Sequence, residues 1–206
     1  MAAMDIPSRE DFLKGIAAFK AGEPRDAMYR VAVFLVSKFW GRPPEMADGL
    51  GVLLLTWNSA FYRYGGFDFY ALETCIADNL NILDAYRARG ISSLSDSDEG
   101  SVRRLFDEFL GALRISSGKG KDRRSPVAVA KALHLLAPNF FPIWDHSIAK
   151  AFGCPYDRNP GAQYVRFCKK MKQFAETAVA WDARGPKSVL KLMDEYSYSK
   201  YTKQWM

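Results

Sequence analysis

One carboxylate stands where chemistry and architecture coincide. Asp145 follows Pro142-Ile143-Trp144, precedes His146-Ser147-Ile148, and occupies the position at which a helix should begin. A carboxylate fixed there can accept backbone N–H groups as a cap. It can also stabilise positive charge developing on a sugar and orient an attacking water. Trp144 and His146 flank it, while Trp57, Asn58 and Tyr62 lie together near the end of an apolar stretch. Aromatic and amide side chains of this kind can receive a nucleobase that has left its stack. A plainer alternative stands beside each role: Asp145 as a cap only, Trp57 and Tyr62 as core aromatics. Asn58, amid apolar residues, needs polar partners if it is buried.

A second cluster is cationic. Lys119, Lys121, Arg123 and Arg124 are interleaved with Gly118, Gly120 and Asp122. Cations supply charge and glycines let backbone N–H groups approach, so such a loop suits phosphate contact. Ser125 and Lys131, just beyond it, extend the expected DNA-binding set. The net charge of +6 and a pI near 9.2 also favour a polyanionic partner. A solvated surface loop with no partner is the alternative. The tail carries Tyr196, Tyr198, Tyr201 and Trp205 with Lys200 and Lys203, a set suited to nucleic acid or to docking on its own fold.

Several classes are excluded. The chain has no G-x-x-x-x-G-K-[ST], G-x-G-x-x-G, G-x-S-x-G or H-E-x-x-H, the usual nucleotide, acyl-transfer and zinc-protease signatures. Cys75, Cys154 and Cys168 form no C-x-x-C pair, and only His134 and His146 offer imidazole. Neither a disulfide framework nor a zinc or multi-histidine site is expected, and no cofactor. No apolar run is long enough to span a bilayer, and residues 1–18 lack the apolar core of a secretory signal. A cytoplasmic monomer off the membrane is the expectation. Hydrophobic residues at 49% and charged residues at 25% fit a folded globular chain.

The elements that must position these residues read as all-α. Helical spacing runs from Ser8 to Gly22, over 26–40, over 45–63 after Pro43-Pro44 break the chain, and from Asp68 to Arg89. A polar connector (92–100) precedes an amphipathic stretch at 101–115. Ser125-Pro126 opens 127–136, prolines 138 and 142 bracket an extended segment, and Asp145 caps 146–152. Asn159-Pro160 opens a helix to about Trp181, and Gly185-Pro186 starts a last one to about Tyr196.

With those elements in place, the chain resembles the helix-hairpin-helix DNA glycosylase superfamily, the group of endonuclease III-like and 8-oxoguanine glycosylases. There a hairpin grips the DNA backbone and a catalytic aspartate caps a later helix in a pattern like P-x-x-D-x-x-[VI]. Pro142-Ile143-Trp144-Asp145-His146-Ser147-Ile148 looks like that segment. Residues 53–63 are similar to the family's apolar helix with a base-proximal end, and the likeness spans about 49–153. The hairpin here is the longer, more basic 116–125. Bifunctional members carry a lysine at the start of the helix after the hairpin; Ser125, Pro126 and Val127 stand at the matching positions, with Lys131 further in.

The resemblance implies a two-lobed all-α fold, 45–138 against 1–44 plus 139–206, with a cleft between them and Asp145 on its floor. It implies a monofunctional DNA N-glycosylase that leaves an abasic site and has no lyase activity. Asp145 would be catalytic, and Trp57, Asn58, Tyr62, Trp144 and His146 would form the base pocket. Repair of a damaged base and removal of a hypermodified base in anti-phage defence both fit. A non-catalytic helical nucleic-acid-binding protein, or an interaction protein with an incidental basic loop, remain the alternatives.

Overall fold

Capping chemistry sets most of the helix boundaries. The computed structural model describes residues 6–181 and 187–206. The expected helix start at Gly185-Pro186 lies outside the described residues. The Ser8 hydroxyl accepts the Asp11 N–H and opens α1 (Arg9–Gly22). Next come α2 (Ala27–Lys38), α3 (Pro43–Trp57), the short α4 (Ser59–Tyr62) and α5 (Phe69–Arg87), the last capped by Asp68. α6 (Glu99–Ala112), α7 (Pro126–Leu136), α8 (His146–Ala151), α9 (Pro160–Val179) and α10 (Val189–Ser197) follow, and a π-helical turn (Tyr198–Thr202) continues α10. Among the described residues there is no strand, and the all-α class holds. No helix among them is long and apolar enough to cross a membrane.

Two local expectations are corrected, and the connector gains detail. Pro43 and Pro44 do not break the chain; they fill the first helical positions of α3, where a missing N–H costs nothing. The helix expected over 45–63 stops at Trp57. Asn58 leaves helical geometry at φ −120°, and the Trp57 carbonyl accepts a hydrogen bond from Lys131 Nζ in place of an intrahelical one. The 92–100 connector is ordered. Its turns Ile91–Ser93 and Asp96–Asp98 are fixed by a bidentate Arg89–Asp98 pair at 2.7 and 2.8 Å.

The core is one contiguous set of buried side chains reaching from Phe12 to Tyr196. α3 packs on α5 and α2, α1 on α10, and α6 on α9, so apolar contact crosses the sequence boundaries at 45 and 138. α7 runs through the middle: Ala128, Val129, Ala130, Ala132, Leu133, Leu135 and Leu136 are all buried, and it touches α6, α3 and α2. Trp144, Phe106, Tyr164 and Phe167 pack edge to face or tilted behind it. The Tyr164 hydroxyl donates to the Pro142 carbonyl and holds the extended segment ahead of Asp145 in place.

Candidate functional site

Asp145 caps α8 as its sequence position predicts. Its Oδ1 accepts the Ile148 N–H at 2.8 Å, while Oδ2 accepts the hydroxyl of Thr202 from the π-helical turn. Both carboxylate oxygens are therefore tied, one to its own helix and one to the C-terminal segment. The residue remains half-buried and lines a cavity of about 530 Å³.

That cavity lies among the α1–α2 connection, the end of α3, the middle of α7, the start of α8, and α10. Phe19, Tyr29, Trp57 and Tyr198 give it aromatic walls; Asp26, Lys131, Lys191 and Asp194 line it alongside Asp145. Tyr29 is fixed through its hydroxyl, which donates to His134 Nε2 at 3.1 Å, while His134 Nδ1 donates to the Phe141 carbonyl at 2.7 Å. Burial pushes the His134 imidazole down to about 3, so it stays neutral and serves as a structural bridge.

Two lysines reach the cavity in different states. Lys131 Nζ donates to the Trp57 carbonyl at 2.9 Å and sits 4.7 Å from the Trp57 ring centroid. Burial pushes its amine down to about 8, against the opposing pull of Asp194 and Asp145. Lys191 is buried too, a penalty that acts to lower it, yet Asp194, Asp26 and Glu195 together outweigh this and hold it above the ordinary lysine value. Asp194, buried beside it, is raised by its own desolvation. One amine is thus poised near neutrality and the other is kept charged.

The basic loop is a compact hairpin between α6 and α7. Ile115 N–H donates to the Arg123 carbonyl and Asp122 N–H returns to the Ile115 carbonyl; Ser116 and Gly120 N–H donate to the Gly66 and Tyr64 carbonyls. The turn closes against Tyr64–Gly66 so tightly that a Cβ on Gly118, at φ +81°, would meet the Tyr64 carbonyl at 2.7 Å. Lys119, Lys121, Arg123 and Arg124 project from it, all exposed. Ser125 then caps α7, accepting the Ala128 N–H and the Asn58 amide. Lys131 lies six residues along α7, about 9 Å of helix rise from that cap, so one helix joins the hairpin to the cavity.

The structure brings together only part of the residue set the sequence suggests. Asp145, Trp57 and Trp144 line the cavity, although Trp144 is fully buried and its indole N–H is committed to the Pro126 carbonyl. Asn58 does not line it, because its amide is spent on Ser125. Tyr62 is core, its hydroxyl donating to the Leu113 carbonyl. His146 is exposed on α8 against Tyr156. Lys131, grouped by sequence with the phosphate-facing cations, instead turns inward to the cavity. Sequence reasoning missed Asp26, Tyr29, Lys191, Asp194 and Thr202; the one available signal was the amphipathic run of α10, which placed charged residues on a face that must be buried.

Among the described residues no cluster of His, Cys, Asp and Glu could hold a metal ion, and all three cysteines are free thiols. Comparison with family models, with curated proteins and with solved structures finds no match to this chain.

Proposed function

We propose that this chain is a DNA N-glycosylase that excises a damaged or hypermodified base and leaves an abasic site. The observation that carries the proposal is the shared cavity: Asp145 lines an aromatic-walled space reached by the helix that begins at the basic hairpin. In this reading the hairpin cations hold phosphates and an extruded base enters between Tyr29, Trp57 and Tyr198. Asp145 stabilises positive charge on the deoxyribose as the N-glycosidic bond breaks. A water adds its hydroxyl to C1′ and the departing base takes up a proton, so the products are a free base and an abasic sugar. The two-lobed plan of the helix-hairpin-helix glycosylases is the arrangement we assign to the fold.

One observation favours a second route for the same excision. The Lys131 amine, lowered to about 8, lines the cavity with Asp145. A neutral amine there could attack C1′ in place of water, expel the base and collapse to a Schiff base. The test is mass spectrometry of bases released from a panel of damaged and modified DNAs, with strand integrity followed before and after alkali. Base release with strands intact until alkali supports hydrolysis; a borohydride-trapped protein–DNA adduct supports the amine route. Salt-sensitive DNA binding with no release would replace the enzyme by a nucleic-acid-binding module.

A further inference from the structure

Asp26 stands in the cavity wall, ion-paired with Lys191 and Lys187. It stands at the N-cap of α2 in a left-handed conformation, φ 44°, and its side chain makes no capping hydrogen bond. Its Oδ2 is buried and has no hydrogen-bond partner. Lys191 Nζ lies 3.4 Å from that oxygen and Lys187 Nζ 3.9 Å, which offsets the charge but leaves the acceptor unmatched. A buried acceptor without a donor is destabilising unless something else supplies one.

Lys191 is ion-paired with Asp194, Asp26 and Glu195 but hydrogen-bonds to Asp194. An ammonium offers three N–H groups. Among the described residues, the hydrogen bond that Lys191 Nζ makes goes to Asp194 at 3.2 Å. Asp26 and Lys191 thus present two carboxylate acceptors beside one cationic donor, in a wall shared with flat aromatic faces. The complementary edge carries two adjacent N–H donors followed by a carbonyl. Among the nucleobases only guanine has that order, as N2–H, N1–H and O6. Adenine and cytosine would turn a ring acceptor toward a carboxylate, and uracil and thymine offer one N–H between two carbonyls. An enzyme that extrudes its base reads this Watson–Crick edge directly.

We propose that Asp26, with Lys191, is the base-reading pair of the cavity and that the base it takes is guanine-derived, with its N1–H and exocyclic N2 amine intact. This rests on the glycosylase reading above. The test compares duplexes carrying 8-oxoguanine with duplexes carrying 8-oxohypoxanthine, which differs only in lacking the N2 amine, and with uracil-containing duplexes. The wild-type protein should release the guanine-type base faster than its 2-deamino counterpart, by on the order of 10–100-fold, the range of one bidentate contact. Asp26→Asn should bring that ratio close to one; asparagine tolerates a left-handed backbone, and the melting temperature should fall only by what the lost ion pair with Lys191 contributes. Asp26→Gly, equally tolerant at this φ, should do the same and guards against an effect peculiar to the amide. Release without a preference for the N2 amine, or a preference that survives in both variants, overturns the inference and leaves the glycosylase standing. Release of no base from any duplex overturns both.

Discussion

Replacing Asp145 with asparagine separates its two roles, because only one of them needs charge. The cap rests on Oδ1, which accepts the Ile148 N–H at 2.8 Å, and an amide oxygen accepts there equally well. The second contact comes from Thr202, whose hydroxyl can rotate to accept from the new amide nitrogen. Asp145→Asn should therefore change stability by less than about 0.5 kcal/mol, a melting shift of roughly 1–2 °C for a chain of this size. Asp145→Ala loses the cap, about 1 kcal/mol, and the Thr202 bond, about 1 kcal/mol more; a drop of roughly 4–8 °C follows. The rate behaves differently. Losing one well-placed electrostatic group costs about a hundredfold or more, equivalent to about 2.7 kcal/mol of barrier. Single-turnover base release should thus fall by at least that factor in both variants, while DNA affinity measured by anisotropy stays within a few-fold. Base release by Asp145→Asn at the wild-type rate would reduce Asp145 to a cap and remove the proposed mechanism.

The hairpin is tested by changing Lys119, Lys121, Arg123 and Arg124 together to alanine: DNA binding should weaken and the log–log salt slope should flatten by about 0.9 per lost phosphate contact, whereas an unchanged slope moves the DNA surface elsewhere. If Lys131 is the nucleophile, borohydride trapping should rise with pH through about 8 as the buried amine loses its proton, and Lys131→Gln should abolish the adduct; a trap-negative wild-type protein that still releases base leaves hydrolysis as the route. Asp98, held well below the usual carboxylate range first of all by Arg89, contributes stability that is present above about pH 4 and lost as pH falls through its depressed folded value. Asp98→Asn should accordingly cost roughly 2 kcal/mol at pH 7 and flatten the acid limb of the melting curve; an unaltered acid limb would show the pair to be of little consequence.

The helices were legible because their signals are local. Ser8, Asp68, Ser125 and Asp145 each cap the helix that their position suggests, since a cap needs only a short polar side chain and the next turn. The break at Asn58 was not legible, because it depends on Lys131 and Ser125, which are more than sixty residues away. Apolar spacing continues through Asn58, and nothing within one turn announces that α3 must end. The same limit explains Tyr62: its aromatic type fits a pocket or a core equally, and only the Leu113 carbonyl decides between them.

The cavity exposes a stricter limit. Lys131 looked like part of the basic loop because it follows it in the chain, yet a helix turns each residue by about 100°, so neighbours six apart face different ways. Ser125 faces Asn58 and the hairpin, while Lys131 faces Trp57 and the cavity. The end of α3 is bound to α7 twice, at the α7 cap and at the α7 middle. Any shift of the hairpin relative to α3 must therefore be transmitted along α7 to the amine, unless one of the two bonds breaks. Charge on the outside and the Lys131 amine on the inside are therefore both tied to the same end of α3. Asn58→Ala, which removes a contact outside the cavity, is the substitution that asks whether the two remain joined: it should weaken hairpin-dependent DNA binding and base release together, and loss of either one alone would refute the coupling.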